Sequence, residues 1–158
     1  FDDLEGLAAK AINREALRVE GFTRFGDDLF TETPAESFCV AALAGLQRSG
    51  HMLDFDATEV ASRFRSAPEW MPNTLPDCLH ELAFWDSLSR LRHAAPVDYY
   101  ESLPEVYARE TFVFTLMAEI RPRSKIEAVA VFRFMADDDR MQASGSDAIL
   151  LNLIGGAG

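Results

Sequence analysis

Cysteine and histidine are scarce in this chain, with two and three copies among 158 residues. Their placement leaves little metal or thiol chemistry to expect. Cys78 and His80 stand two apart, and on a helix such residues point in nearly opposite directions, so they do not share a metal. Cys39 and Cys78 lie inside apolar helical patterns without a nucleophile signature. They read as buried free thiols of a reducing compartment, a disulfide being the alternative. Asp137, Asp138 and Asp139 lack the alternating spacing, the glycine and the twelfth-position Glu of a calcium loop, and read as an acidic connector. No Walker loop, G-x-G-x-x-G or G-x-S-x-G occurs, and Gly155, Gly156 and Gly158 close the chain rather than cradle a phosphate. Glu81 falls in the apolar arc of a helix, where pairing with Arg92 or Arg109 is a commoner fate than acid catalysis. The expectation is a chain with no catalytic residue, no cofactor and no metal of its own.

Positive charge is also short. Fifteen Lys and Arg face 26 Asp and Glu, for a net charge of −11. Such a chain is repelled by phosphate backbones and anionic lipid unless bases are concentrated somewhere. The densest basic stretches, Arg90-Arg92-His93 and Arg121-Arg123-Lys125, each have carboxylates close by. No apolar run approaches the roughly 20 residues that span a bilayer. Neither nucleic acid nor direct membrane insertion is expected. Phe1, rather than Met, opens the chain, and a trimmed terminus or a removed organelle leader is the expected reason.

What the chain has is helix punctuation. Hydrophobic residues make up 48% of it, enough for a single domain over 1–158 with its own core. Capping-box pairs open five apolar periodicities: Asp2/Glu5, Thr33/Glu36, Asp56/Glu59, Ser102/Glu105 and Ser124/Glu127. The first helix is expected to stop at Gly21, followed by a loop anchored by Phe22, Phe25 and Phe30. The second runs from Pro34 to Ser49, and the third ends near Ala67-Pro68. A proline-rich connector over 68–76 leads to a helix from Thr74 or Leu75 to about His93, with Cys78, Leu82 and Trp85 on one stripe and Phe84, Leu88 and Leu91 on another. The fifth reaches Arg121, and a last apolar segment spans 148–154. Between them the Ser124–Met135 helix is apolar on nearly every side, so other helices are expected to wrap it. The fold class is all-α, about seven helices in antiparallel pairs, as a short superhelix or a bundle.

One pair has a familiar form. Ala128-Val129-Ala130-Val131-Phe132-Arg133-Phe134-Met135, following the Phe112 helix and a turn, resembles the second helix of a pentatricopeptide repeat, A-L-x-L-F-x-x-M. Asp147–Ile154 is similar to the start of a next repeat, and Gly45-Leu46-Gln47-Arg48-Ser49-Gly50 is similar to the end of an earlier first helix. The resemblance implies antiparallel packing of 124–135 on 105–121 and contact with 147–154. Members of that family usually bind single-stranded RNA through polar side chains on the first helix. Here those positions carry Val113 and Val40, which offer a base edge nothing, and only Asn152 keeps the polar type.

What the resemblance then implies is a helical scaffold for protein contacts. Size, acidity and degenerate repeats are similar to those of small accessory subunits on the catalytic F1 head of euglenozoan mitochondrial ATP synthase. The implied partners are protein subunits of a larger complex, the F1 alpha subunit among them, in the mitochondrial matrix. Trp70, Met71, Tyr99 and Tyr100, aromatic or flexible residues in connectors, are the candidate partner contacts. Alternatives are an organellar RNA-binding repeat protein and a small α-helical enzyme or ligand carrier with a site near Cys78 and Glu81.

Overall fold

The computed structural model describes residues 2–49, 54–95, 100–137 and 140–156. The chain is all-α, with seven α-helices among the described residues: α1 (Asp2–Phe25), α2 (Pro34–Ala42), α3 (Ala57–Arg65), α4 (Leu75–Ala94), α5 (Pro104–Leu116), α6 (Lys125–Asp137) and α7 (Ser146–Gly156). Short 3-10 turns follow α1 and α3. A two-residue ladder, β1 (Arg48–Ser49) with β2 (Asp54–Phe55), joins α2 to α3 in antiparallel register.

α4 is the central post, lying against α1, α5 and α6, while α5 also meets α2 and α3. Its two apolar stripes account for this: Leu75, Cys78, Leu82, Trp85, Leu88 and Leu91 are all buried. One continuous core joins them to Cys39, Phe64, Val113, Met117, Val131, Met135, Ile149 and Leu153. A smaller cluster, Leu29, Leu91 and Ala95 with Leu17 and Phe25, ties α1 to the body.

The caps follow the sequence at some ends and not at others. Thr33 and Glu36 form a complete capping box, and Asp56 accepts from the Glu59 amide. α4 begins with a second complete box, Thr74 with Asp77. The Ser102/Glu105 box does not form, because Leu103 occupies the cap position and no side chain caps α5. At α6, Ser124 Oγ accepts from the Glu127 amide at 3.3 Å, but the Glu127 carboxylate turns back to the Arg123 backbone and guanidinium instead.

Four expected boundaries shift. α1 continues through Gly21 to Phe25, because Gly21 is a point of close approach: a Cβ there would meet Leu29 at 3.4 Å and Leu91 at 3.6 Å. α2 stops at Ala42 rather than Ser49, since Gly45 takes a positive φ of 84° and turns the chain into β1. α5 ends at Leu116, short of Arg121, where turns over 117–120 take over. α7 starts two residues before its expected opening, at Ser146.

α6 is the larger correction. It is covered on one side: Val131 and Met135 are buried, while Ile126, Val129 and Phe132 remain exposed. The physical reason is its company. α4 and α7 are its close neighbours, and Val131 and Met135 belong to the same buried core as Val113 and Met117. The contact expected with 147–154 is present; a close helix-on-helix seam with 105–121 is not among its main packing partners.

Candidate functional site

Two buried arginines hold the body together, and each recruits a residue expected at a partner surface. Arg92 of α4 donates to both Glu36 oxygens at 2.7 and 2.8 Å, to the carbonyls of Leu29 and Thr31, and to the Tyr100 hydroxyl. Burial alone would raise the Glu36 carboxyl, but hydrogen bonds from Arg92 and Thr33 outweigh it and hold the group below its ordinary value. Tyr100 is half-buried here, edge-on to Phe30 and His93.

The second is Arg109 of α5, 2% exposed. Its Nε donates to Glu81 at 2.6 Å and its Nη2 to the second Glu81 oxygen at 3.0 Å and to the Trp70 carbonyl. The same carboxylate accepts from Trp85 Nε1 at 3.1 Å. Nη1 has no hydrogen-bond partner, but the guanidinium is wrapped by the rings of Phe64, Phe38 and Phe112 at 4.9, 5.6 and 5.8 Å, which supply cation–π attraction. Of the two arginines foreseen for Glu81, Arg109 is the partner. Trp70 stacks flat on Phe38, with centroids 4.5 Å apart, and its outer face stays exposed. Met71 is half-buried against the core, and Tyr99 lies outside the described residues.

A shallow apolar recess of about 280 Å³ borders Arg109, lined by Phe38, Trp70, Glu81, Phe84 and Trp85. A groove of about 310 Å³ runs between α3 and α5, past Val60, Arg65, Tyr107, Thr111 and Glu119. Cys39 and His80 also line the recess, and among the described residues no hydrogen bond joins the two. Burial pushes the Cys39 and Cys78 thiols up to about 12, outweighing the nearby Arg109 charge, so both stay neutral and unreactive at physiological pH. Both cysteines are free. Cys78 faces the core while His80 is exposed, as their two-residue spacing dictates. His51 lies outside the described residues. Among those described, no cluster of His, Cys, Asp and Glu could hold a metal ion, and no helix is long and apolar enough to cross a membrane.

Val113, Val40 and Asn152, the positions that the repeat resemblance singles out, can now be placed. Val113 is fully buried, and Val40 is exposed. Asn152 spends its amide on the free carbonyls at the end of α5, donating to Met117 at 2.9 Å and Ile120 at 2.7 Å.

The surface that stands out was not expected. Ile126 is 82% exposed, Ile154 75% and Leu151 69%, with Val129 and Phe132 about half exposed. On α6 these residues recur every three positions and fall on the side away from Val131 and Met135. On α7, Leu151 and Ile154 lie away from Ile149 and Leu153. The sequence showed a helix apolar all round, but not how few helices would be available to wrap it. Comparison with family models, curated proteins and solved structures finds no match to this chain.

Proposed function

We propose that the chain is a non-catalytic accessory subunit, a helical scaffold that binds a folded protein partner. The observation that carries this reading is the exposed apolar side of α6 and α7, where Ile126, Val129, Phe132, Leu151 and Ile154 remain in water. Exposed side chains of this kind on well-packed helices mark interaction surfaces rather than core. Trp70, whose ring is fixed by Phe38, is a rigid second anchor. The sequence resemblance points to a mitochondrial complex and to the alpha subunit on the outside of the ATP synthase catalytic head as the partner. The inert thiols and the self-neutralised Arg–Glu pairs support a binding role over a catalytic one. The buried Val113, the occupied Asn152 and the net charge of −11 weigh against the RNA-binding alternative.

Purified chain mixed with purified catalytic head is the test. A stoichiometric complex is expected, and the double variant Phe132→Asp/Leu151→Asp should weaken it at least about 100-fold, since two central apolar anchors are lost. Far-UV circular dichroism should be unchanged, because both side chains are exposed. Undiminished binding by that variant would remove α6 and α7 as the docking side, and absence of any complex would remove the partner.

A further inference from the structure

The recess beside Arg109 holds a polar group that the body of the protein leaves unsatisfied. Its walls carry four aromatic side chains, Phe38, Trp70, Phe84 and Trp85, together with Glu81 and Arg109. The guanidinium spends its N–H groups on one side only: Nε–H and one Nη2–H go to Glu81, and the other Nη2–H goes to the Trp70 carbonyl. Both N–H groups of Nη1 are left over. Among the described residues, Nη1 is the single buried side-chain nitrogen or oxygen without a hydrogen-bond partner. Its direction follows from the planar fork. Glu81 takes the Nε–Nη2 edge, so the bond to Trp70 lies on the Nη1–Nη2 edge, and one Nη1–H runs parallel to it, toward the Trp70 side of the recess. The surrounding phenyl rings attract the charge, but a ring face is a weaker acceptor than a carbonyl. Folded proteins seldom keep a buried donor unpaired without a reason.

We infer that this recess binds a flat, uncharged aromatic molecule carrying a carbonyl, whose oxygen accepts from Arg109 Nη1. Each part of that description has a source in the site. Aromatic walls favour a flat ring, which meets them edge-on or offset-stacked. A recess of about 280 Å³ is nearly twice the ~150 Å³ cavity that benzene fills, so it suits two fused rings. The free N–H groups require an acceptor, which an ammonium does not offer. Glu81 already neutralises Arg109, so a carboxylate on the ligand would lie near a second anion with no spare cation. Nη1 is closed to solvent in the free chain, so a side chain at the wall rotates as the ligand enters, as side chains at binding sites commonly do. The site is separate from the exposed side of α6 and α7, and the inference does not rest on that surface.

Trp70 and Trp85 are the two tryptophans of the chain and both line the recess, so the two indole N–H signals in a proton–nitrogen NMR spectrum report its filling. Removing Arg109 would strand Glu81 in the interior, so the ligand is varied in place of the protein. The probes 2-naphthamide, 2-naphthoate and 2-methylnaphthalene share one ring system and differ in the group offered to Nη1. The full chain is expected to bind 2-naphthamide with a Kd at or below about 100 μM, shifting both indole signals. The hydrocarbon should bind at least about tenfold more weakly, as loss of a hydrogen bond to a charged group requires. The naphthoate should also bind more weakly than the amide. Ala35→Phe, which fills the recess from α2, should abolish the shifts while urea unfolding stays cooperative. Equal binding of amide and hydrocarbon would overturn the proposal, because water or the phenyl rings then already satisfy Nη1. Tighter binding of the naphthoate, indole signals unmoved by excess 2-naphthamide, or shifts that persist in a folded Ala35→Phe chain would overturn it as well.

Discussion

Arg109 keeps a full charge in the interior by dividing its needs among a carboxylate, a backbone carbonyl and three phenyl rings. Such a pair is costly to break from one side, because the surviving charge is left buried. Glu81→Gln should cost about 3 kcal/mol in urea unfolding. The double variant Glu81→Gln/Arg109→Met should cost less than the sum of its singles, a coupling that a double-mutant cycle reads directly. Glu110 gives a pH prediction. Burial raises its carboxyl above the ordinary value, opposed by Arg140 and assisted by Asp86. Between the ordinary and the raised value the folded chain keeps a proton that the unfolded chain has lost, so stability falls as pH rises through that window. In urea unfolding Glu110→Gln should therefore stabilise at neutral pH and make no difference below the ordinary Glu range. At this scale the sequence showed that Glu81 needs an arginine but not which one. The choice between Arg92 and Arg109 depends on which helix crosses α4 at that height. Likewise, Tyr100 and Trp70 read as free aromatics in connectors until the partners they cover, Arg92 and Phe38, are known.

Helix starts were more legible than helix ends. Thr33, Asp56 and Ser124 each cap as their types and spacing require, because an N-cap is satisfied within four residues. Ends depend on distant groups. α5 stops at Leu116 although nothing local breaks it, and the freed carbonyls of Met117 and Ile120 are taken by Asn152 from α7, about two helices away in sequence. Asn152→Ala should leave those carbonyls to water and cost about 1–2 kcal/mol, measured by thermal or urea unfolding, with Asn152→Asp failing to rescue because a carboxylate cannot donate. Gly21 shows the same dependence. Its glycine looks like a stop in sequence, and only the approach of Leu91 reveals it as the place where α1 crosses α4.

As a whole the molecule is an acidic helical body whose two cysteines are buried and whose apolar residues are not all used internally. The all-α class was legible from periodicity and caps. The exposed side of α6 was not, since a helix apolar on every side reads as fully wrapped, and the sequence does not tell how many helices are available to wrap it. Those uncovered residues, Ile126, Phe132, Leu151 and Ile154, are the basis for placing the chain in a larger assembly. The most direct measurement is the mass and composition of the native species that contains the chain, taken by native mass spectrometry after gentle extraction from its source. An accessory subunit predicts a stoichiometric complex that includes the alpha subunit of the ATP synthase catalytic head. Recovery of the chain alone, as a stable monomer or as its own dimer, would contradict it.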